Sequence, residues 1–468
     1  MNCFKLIYLS VFCGIISILS FFNIIYSYYF NLYLNLDSYV YSLLISISLG
    51  LLFYFTNNDQ QKITIYEKIL TILLGYFLLP LIISIPFYLS IYNLTFINSY
   101  FEAISGFTST GFTIFENVKH IDQSLIIWRS SSQWVGGLYF LFSIILLIDI
   151  FDNSFKKSLT NFISFNKAET LKQSFKIFIL YTSLTLILFL ILNFFNLRTF
   201  NSFNMAMTLI SSGGFLPTNN LSNILINEAQ IIVFSLLMLT SFFSIFLSYN
   251  LIFFKNRNIN FFNEDLNLLF YFLTILVIFF LFFNFDNKFS HIFLSLTSSV
   301  SNIGLSLNNS PKNLSFVFMI LLIIGGSFFS TSSGIRFLKL YSLFKYSINE
   351  ILSYSRPKNI FINKLLFSKI NFEQSEIYKY FLSILIFIIS LLFLTSLLSI
   401  SGINMESSFK LSILTIMNTV NSSMYNLGDF NFNDLHFFTK YSLILFMIIG
   451  RVELLTLLII SKKFLFKS

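Results

Sequence analysis

The sequence is poor in charged residues and in cysteine. Asp, Glu, Lys and Arg make up 10% of its 468 residues, whereas 56% are hydrophobic and the mean hydropathy is +0.79. Soluble globular domains carry about 25% charged residues, so this composition argues against that class. Cys3 and Cys13 both lie in or beside the first apolar segment, which disfavours a disulfide framework. The composition instead predicts an all-α polytopic membrane protein.

The sequence also lacks the short motifs of common enzymes. It has no GxGxxG, Walker A or GxSxG motif, and its histidines, His120, His291 and His436, are scattered. The first apolar stretch has no small-residue cleavage site, so we expect a retained helix rather than a signal peptide. We therefore predict neither an enzyme nor an organic cofactor.

Long apolar segments predict ten transmembrane helices, because a span needs about 20 apolar residues. The predicted spans are residues 5–28, 39–56, 68–91, 125–150, 176–193, 230–254, 266–283, a segment starting near 314, 378–400 and 437–460. Four shorter amphipathic pieces lie between later spans, at residues 101–109, 203–210, 291–300 and 405–420. Each is followed by a Gly/Ser/Thr/Asn turn, and irregular backbone at membrane depth is tolerated only inside protein or beside a watery cavity.

The repeated order of span, short helix, turn and span predicts four re-entrant pore helices in a pseudo-fourfold arrangement. The predicted units are a two-helix extension at residues 1–60 and pore repeats at 61–160, 161–260, 261–370 and 371–468. With a cytoplasmic N-terminus, 21 of the 29 Lys and Arg residues fall on the inner side and 7 on the outer side. The positive-inside rule therefore supports cytoplasmic N- and C-termini and four turns that face outward. It also explains the net charge of +9 without nucleic-acid binding.

Four motifs in this order resemble the TrkH/KtrB/HKT superfamily of potassium or sodium translocating subunits, and TrkH in particular. They are FEAISGFTSTGFT (101–113), WRSSSQWVGG (128–137), GGSFFSTSSGIR (325–336) and GRVE (450–453). The resemblance implies potassium uptake across a bacterial inner membrane, as passive or gradient-driven flux or symport. It also implies a homodimer in membrane lipid with a cytoplasmic, nucleotide-binding TrkA-like subunit. Potassium is then the transported ion.

The resemblance further implies a selectivity filter whose backbone carbonyls replace the water around an ion. The predicted filter residues are Ser109, Thr110, Gly111, Ser211, Ser212, Gly213, Asn302, Ile303, Gly304, Ser422, Ser423 and Met424. Met424 then stands where the family has a glycine. Three alternatives follow for the Met424 side chain: it relaxes ion selectivity, it narrows the pore, or it projects away from the pore.

Two further elements are predicted below the filter. The run 325–334, with Gly325, Gly326 and Gly334, is too rich in Gly and Ser to stay helical, and in the family it is a gate; the alternative is a lipid-buried kink. Arg451 lies inside the last span, where an arginine is a functional candidate by default. In the family it repels cations, and the alternative is a structural pair with Glu453 or with carbonyls of the run 325–334.

Near the outer face, Glu102 and Arg129 are predicted to pair and to fix the first pore helix. Alternatively, Glu102 attracts cations. For the whole chain we predict a potassium uptake pore. The alternatives are a sodium-permeable or sodium-coupled transporter, and a degenerate regulatory subunit that conducts poorly.

Overall fold

A computed structural model describes residues 7–55, 65–151, 169–245, 259–282, 288–308, 310–355, 374–428 and 430–452. Within these ranges the regular structure is helical and contains no strand. Glu453, Cys3 and large parts of the predicted inner loops lie outside them. The predicted all-α class is confirmed.

Fifteen α-helices lie in the described residues. In chain order they are α1 (Ile7–Tyr29), α2 (Leu36–Phe55), α3 (Ile65–Tyr88), α4 (Phe96–Phe107), α5 (Gln123–Phe151), α6 (Glu169–Phe194), α7 (Thr199–Ile210), α8 (Glu228–Phe242), α9 (Ile259–Phe282), α10 (Phe289–Val300), α11 (Ser315–Ile324), α12 (Phe337–Ser355), α13 (Gln374–Ile400), α14 (Met405–Ile416) and α15 (Phe437–Val452).

Seven stretches are long and apolar enough to cross a membrane, and they belong to α1, α2, α3, α5, α6, α9 and α13. The protein is therefore a multi-pass membrane protein, and the count of ten spans stays a prediction. The stretch in α5 is 94% buried, whereas those of α1 and α2 are 39% and 22% buried. Thus α5 lies at the centre of the molecule, and the N-terminal pair lies at its edge.

The helix breaks within the predicted span 230–254, of which residues 246–254 lie outside the described residues. Helix α8 ends at Phe242, and Phe243 is extended, with φ −80° and ψ 162°. The amide of Ile245 donates to the carbonyl of Phe329 at 3.1 Å, and the amide of Ser327 donates to that of Phe242 at 3.0 Å. The helix breaks because its end pairs with a segment that is distant in sequence.

The four short helices α4, α7, α10 and α14 correspond to the predicted pore helices. Each has 12 residues, which gives a length of about 18 Å at ~1.5 Å per residue. The hydrocarbon core of a bilayer is about 30 Å thick, so these helices are too short to cross it. Thr95 caps α4 by accepting a hydrogen bond from the amide of Asn98 at 3.4 Å.

Candidate functional site

The four short helices end in turns with the same backbone geometry. After each C-cap residue the chain passes through the left-handed region, at Ser109 (φ 58°), Ser212 (φ 53°), Asn302 (φ 59°) and Asn418 (φ 48°). The next amide then donates to a carbonyl five residues earlier, in the bonds Thr110–Ser105 (2.9 Å), Gly213–Thr208 (2.8 Å), Ile303–Ser298 (3.1 Å) and Thr419–Leu414 (2.9 Å). Bonds of this kind close a Schellman-type helix end. The four turns are therefore structurally equivalent.

This equivalence corrects the predicted register of two turns. The matching triplets are residues 109–111, 212–214, 302–304 and 418–420. The position of Gly111 is taken by Gly214 in the second turn, not by Gly213. In the fourth turn it is taken by Val420, not by Met424. The shift in the fourth turn arises because α14 ends at Ile416, before the predicted end of the short helix at residue 420.

Ser422, Ser423 and Met424 therefore follow the fourth turn instead of forming it. Met424 lies in a 3₁₀ helix at Ser423–Tyr425 and is fully buried. The Ser299 hydroxyl on α10 lies 3.6 Å from its sulfur. Met424 therefore lies against α10 and outside the fourth turn.

The third position of each turn lies in close contact with a neighbouring turn. Gly111 and Gly304 have φ values of 80° and 82°, a region in which a β-carbon is strained. A β-carbon on Gly111 would lie 2.8 Å from the α-carbon of Gly214, and one on Gly214 would lie 2.4 Å from the β-carbon of Val420. One on Gly304 would lie 2.7 Å from the Val420 carbonyl oxygen. These approaches bring all four turns to one place.

Val420 fills space with its side chain at the point where the four turns meet. Its backbone is outside the left-handed region, so a side chain is tolerated there. Its amide donates to the Ile303 carbonyl at 3.4 Å, which joins the third and fourth turns directly. Its side chain faces Gly214 and Gly304. The junction of the turns is therefore narrowed on the side of the fourth turn.

A cavity of about 710 Å³ lies against these turns, and Gly111, Gly214 and Val420 are among its lining residues. Amides and one carboxylate also line it, namely Glu116, Asn219, Asn220, Asn308, Asn421 and Asn431. The Asn431 amide donates to Glu116 at 3.0 Å. The cavity is polar and reaches the first, second and fourth turns, and Leu305, which follows the third turn.

The predicted pair of Glu102 and Arg129 is confirmed. Arg129 Nε donates to Glu102 Oε1 at 2.8 Å, and both side chains are buried. The second carboxylate oxygen accepts from the amide of Ile114 at 2.9 Å, and the Thr113 hydroxyl donates to Oε1 at 3.1 Å. The guanidinium also lies over the Phe215 ring, 4.2 Å from its centroid. This network joins α4 and α5 to the segments that follow the first two turns.

The run 325–334 forms an irregular loop between α11 and α12, as predicted, and we call it the intramembrane loop. Gly325 and Gly334 have φ values of 69° and 92°, and a β-carbon on Gly334 would lie 2.6 Å from the α-carbon of Gly325. A β-carbon on Gly326 would lie 2.5 Å from the Phe242 carbonyl oxygen. The three glycines therefore allow the loop to close on itself and against the end of α8.

The tip of the intramembrane loop is bonded to the second turn. The Thr331 hydroxyl donates to the Ile210 carbonyl at 2.8 Å. The Ser212 hydroxyl donates to the Thr331 carbonyl, also at 2.8 Å. The loop therefore closes one side of the junction of the four turns.

Arg451 joins the intramembrane loop to two of the turns. Its Nη1 donates to the Ser333 hydroxyl at 2.5 Å, and its Nη2 lies 3.3 Å from the Ser109 hydroxyl and 3.5 Å from the Ser211 carbonyl. Its guanidinium carbon lies 4.0 Å from the centroid of Phe140, and the side chain is 1% exposed. The structure thus places a positive charge directly against the turns, bonded to a loop hydroxyl rather than to a loop carbonyl.

Sequence reasoning missed several residues of this site. Asn418 adopts the left-handed turn position, and its amide donates to the Thr110 hydroxyl at 3.1 Å and the Met447 carbonyl at 2.8 Å. Arg336, the last residue of the motif 325–336, donates from Nη1 to the Ser327 and Ser332 carbonyls, each at 2.9 Å. Asparagine tolerates the left-handed region, so the Asn at both 302 and 418 was the available signal for the fourth turn.

The fold and the site define a class, namely helical membrane proteins in which four helix–turn units meet at one polar place. Comparison with known proteins specifies that class. The TrkH family model, described as a cation transport protein, matches residues 287–466. An uncharacterized cation transporter of Methanocaldococcus jannaschii is 26% identical over 370 residues, which cover 75% of this chain and 74% of that protein.

The Trk system potassium uptake protein TrkH of Escherichia coli K12 is 24% identical over 449 residues, 89% of each chain. The crystal structure of the potassium transporter TrkH from Vibrio parahaemolyticus superposes with a TM-score of 0.79 at 18% identity, and the match covers 96% of this chain and 98% of that one. Together these matches confirm the resemblance of the chain to the TrkH/KtrB superfamily that its motifs indicate. These relatives are named as transport proteins, which agrees with the prediction that the chain is not an enzyme.

Proposed function

We propose that this chain is the membrane subunit of a potassium uptake system and carries K⁺ inward through the junction of its four turns. The observation that carries the proposal is the meeting of four equivalent helix ends between a polar cavity and an arginine-bonded loop. The names of several relatives as potassium uptake proteins support the choice of ion.

In this proposal the backbone carbonyls of residues 109–111, 212–214, 302–304 and 418–420 form the filter. Each short helix directs its C-terminus toward its turn, and the negative end of the helix dipole favours a cation there. Carbonyl oxygens then take the place of the ion's water. The corrected fourth turn replaces Ser422, Ser423 and Met424 with Asn418, Thr419 and Val420.

The intramembrane loop and Arg451 are the proposed gate. A unit charge about 5 Å from a permeating cation costs roughly 3 kcal/mol at an effective dielectric constant near 20. Conduction then requires the loop to release its bonds to Ile210 and Ser212 and requires the guanidinium to move.

The remaining parts of the proposal concern assembly. We place both termini in the cytoplasm, divide the chain at the unit boundaries given above, and expect a homodimer in the lipid of the inner membrane. A cytoplasmic, nucleotide-binding TrkA-like subunit is the proposed regulator, in line with the naming of the relatives as parts of a Trk system. Coupling of uptake to another ion, as in symport, belongs to the same proposal.

Val420 favours a second candidate, a sodium-permeable or poorly conducting pore. Its side chain fills space beside Gly214 and Gly304, and its amide takes the Ile303 carbonyl. A carbonyl that accepts this bond is less available to an ion. A narrower and less complete filter would weaken selection for the larger ion.

Growth of a potassium-uptake-deficient bacterium on limiting K⁺ tests both candidates. The variants are the natural chain, Gly111→Ser, Val420→Gly and the control Met424→Leu, each with and without a regulatory partner and with confirmed membrane expression. Rescue by the natural chain and by Met424→Leu, but not by Gly111→Ser, supports the potassium pore. Rescue only by Val420→Gly supports the second candidate, and sodium flux is then measured. No rescue by any expressed variant contradicts the potassium pathway.

A further inference from the structure

Two adjacent buried carboxylates lie beside the intramembrane loop and play no part in the proposed filter. Glu264 and Asp265 on α9 are each 2% exposed. Glu264 Oε1 accepts from the Phe328 amide at 2.9 Å, and Asp265 Oδ1 accepts from the Ser244 amide at 3.0 Å. The two side chains therefore hold the loop and the broken end of α8 at the point where these two segments pair.

The second oxygen of each carboxylate is buried without a hydrogen-bond donor in the described part of the chain. Among the described residues, neither Glu264 Oε2 nor Asp265 Oδ2 has a hydrogen-bond partner. The fully buried Ser327 hydroxyl interacts with the Asp265 carboxylate and has no other partner among the described residues. Buried polar atoms are costly when they lack a partner, and charged ones cost most. Three oxygen donors on two packed segments thus lack a positive partner.

The local charge is also unbalanced among the described groups. The Arg336 guanidinium interacts electrostatically with Glu264. Its Nη1 donates to the Ser327 and Ser332 carbonyls and to the Ser330 hydroxyl, at 2.9, 2.9 and 3.1 Å. Two carboxylates against one guanidinium leave a single negative charge. One monovalent cation neutralises it, whereas a divalent cation would reverse it.

We propose that Glu264, Asp265 and Ser327 bind one alkali metal cation, Na⁺ or K⁺, at a site separate from the four turns. Carboxylate and hydroxyl oxygens are the donors that hard cations prefer. The other oxygens of the same carboxylates hold the Phe328 and Ser244 amides. A bound cation therefore fastens the intramembrane loop to the end of α8. This site does not depend on the transport function proposed above.

The test measures the thermal unfolding midpoint of the purified full-length protein. KCl or NaCl replaces choline chloride at constant ionic strength, at pH 6 and at pH 8. We expect the alkali salts to raise the unfolding midpoint. The cation concentration that gives half of this effect should increase at least ~10-fold in Asp265→Asn and by less in Ser327→Ala. Glu116→Gln, which removes a carboxylate from the polar cavity, should leave that concentration unchanged. Gly111→Ser alters the proposed filter and not this site, so Asp265→Asn should still shift the dependence on NaCl and KCl in the Gly111→Ser background.

Two results would overturn the proposal. One is an alkali-cation dependence that is identical in the natural chain, Asp265→Asn and Ser327→Ala, because the cation would then be bound elsewhere. The other is stabilisation that follows pH in choline chloride and is insensitive to alkali cations, because a proton would then neutralise the pair. If Asp265→Asn does not fold, Ser327→Ala decides, since it keeps both carboxylates.

Discussion

A comparison of two left-handed glycines tests whether the turns form one rigid junction. Gly111 has φ 80° and lies at the junction, while Gly402 has φ 92° in the link between α13 and α14. An alanine at either position pays for the left-handed backbone, about 1–2 kcal/mol. No heavy atom lies within 4 Å of a β-carbon built on Gly402. Gly402→Ala therefore isolates the cost of backbone strain.

Gly111→Ala adds a clash to that strain. The new β-carbon would lie 2.8, 3.0 and 3.1 Å from the Cα, N and C atoms of Gly214, whereas carbon atoms pack best at about 3.5–4.0 Å. The neighbour is backbone and cannot rotate away, so the second turn has to shift. Overpacking of this kind costs about 1–3 kcal/mol, which brings the total to roughly 2–5 kcal/mol.

The assays are the thermal unfolding midpoint of the purified protein and the uptake of radioactive Rb⁺ by cells. We expect Gly111→Ala to lower the midpoint more than Gly402→Ala, and to abolish the uptake that Gly402→Ala retains. If the two variants give equal midpoints and equal uptake, the second turn yields freely and the idea of a rigid junction is wrong.

Two further variants test the buried charges. Arg451→Gln removes the charge beside Ser109 and weakens the bond to Ser333, so Rb⁺ uptake should rise. The control is Lys440→Gln on the same helix, because Lys440 is bonded to Asn98 and Asn433 instead. Equal uptake in the two variants would argue against a gate at Arg451. Glu102→Gln leaves Arg129 buried without its counterion and should destabilise the protein by about 3–5 kcal/mol. The control is Glu116→Gln, which removes an exposed carboxylate and should have little effect on the unfolding midpoint. Equal midpoints in the two variants would mean that the Glu102–Arg129 pair does not stabilise the fold.

Much of the architecture was readable from the chain because membranes impose simple rules on sequence. Spans such as α3, α5 and α13 appear as long apolar runs, because side chains that face lipid are apolar and the backbone in lipid satisfies its hydrogen bonds within the helix. The short helices α4, α7 and α10 were recognisable because each ends in a cluster of Gly, Ser, Thr or Asn. Their predicted C-terminal ends agree with the structure to within about two residues, whereas the helices begin two to five residues earlier than predicted.

The end of the fourth short helix was not readable in the same way. The segment from Met405 to Val420 contains no glycine to mark a helix end, so the sequence predicts the turn at the polar cluster of residues 421–425. In the structure the helix stops at Ile416, and Asn418 turns left-handed while its amide bonds to Thr110. That bond joins residues 308 positions apart, which no local pattern reports.

The membrane class, the four helix–turn units, the break at the run 325–334 and the buried Arg451 could therefore be predicted from the chain, because each follows from local polarity and backbone preference. The folded protein was needed to see which residues of the second and fourth turns meet, where Arg451 donates its bonds, and that Glu264 and Asp265 hold the intramembrane loop. These features depend on contacts between segments far apart in the chain, and the close packing of four turns around one place leaves room for one register at each.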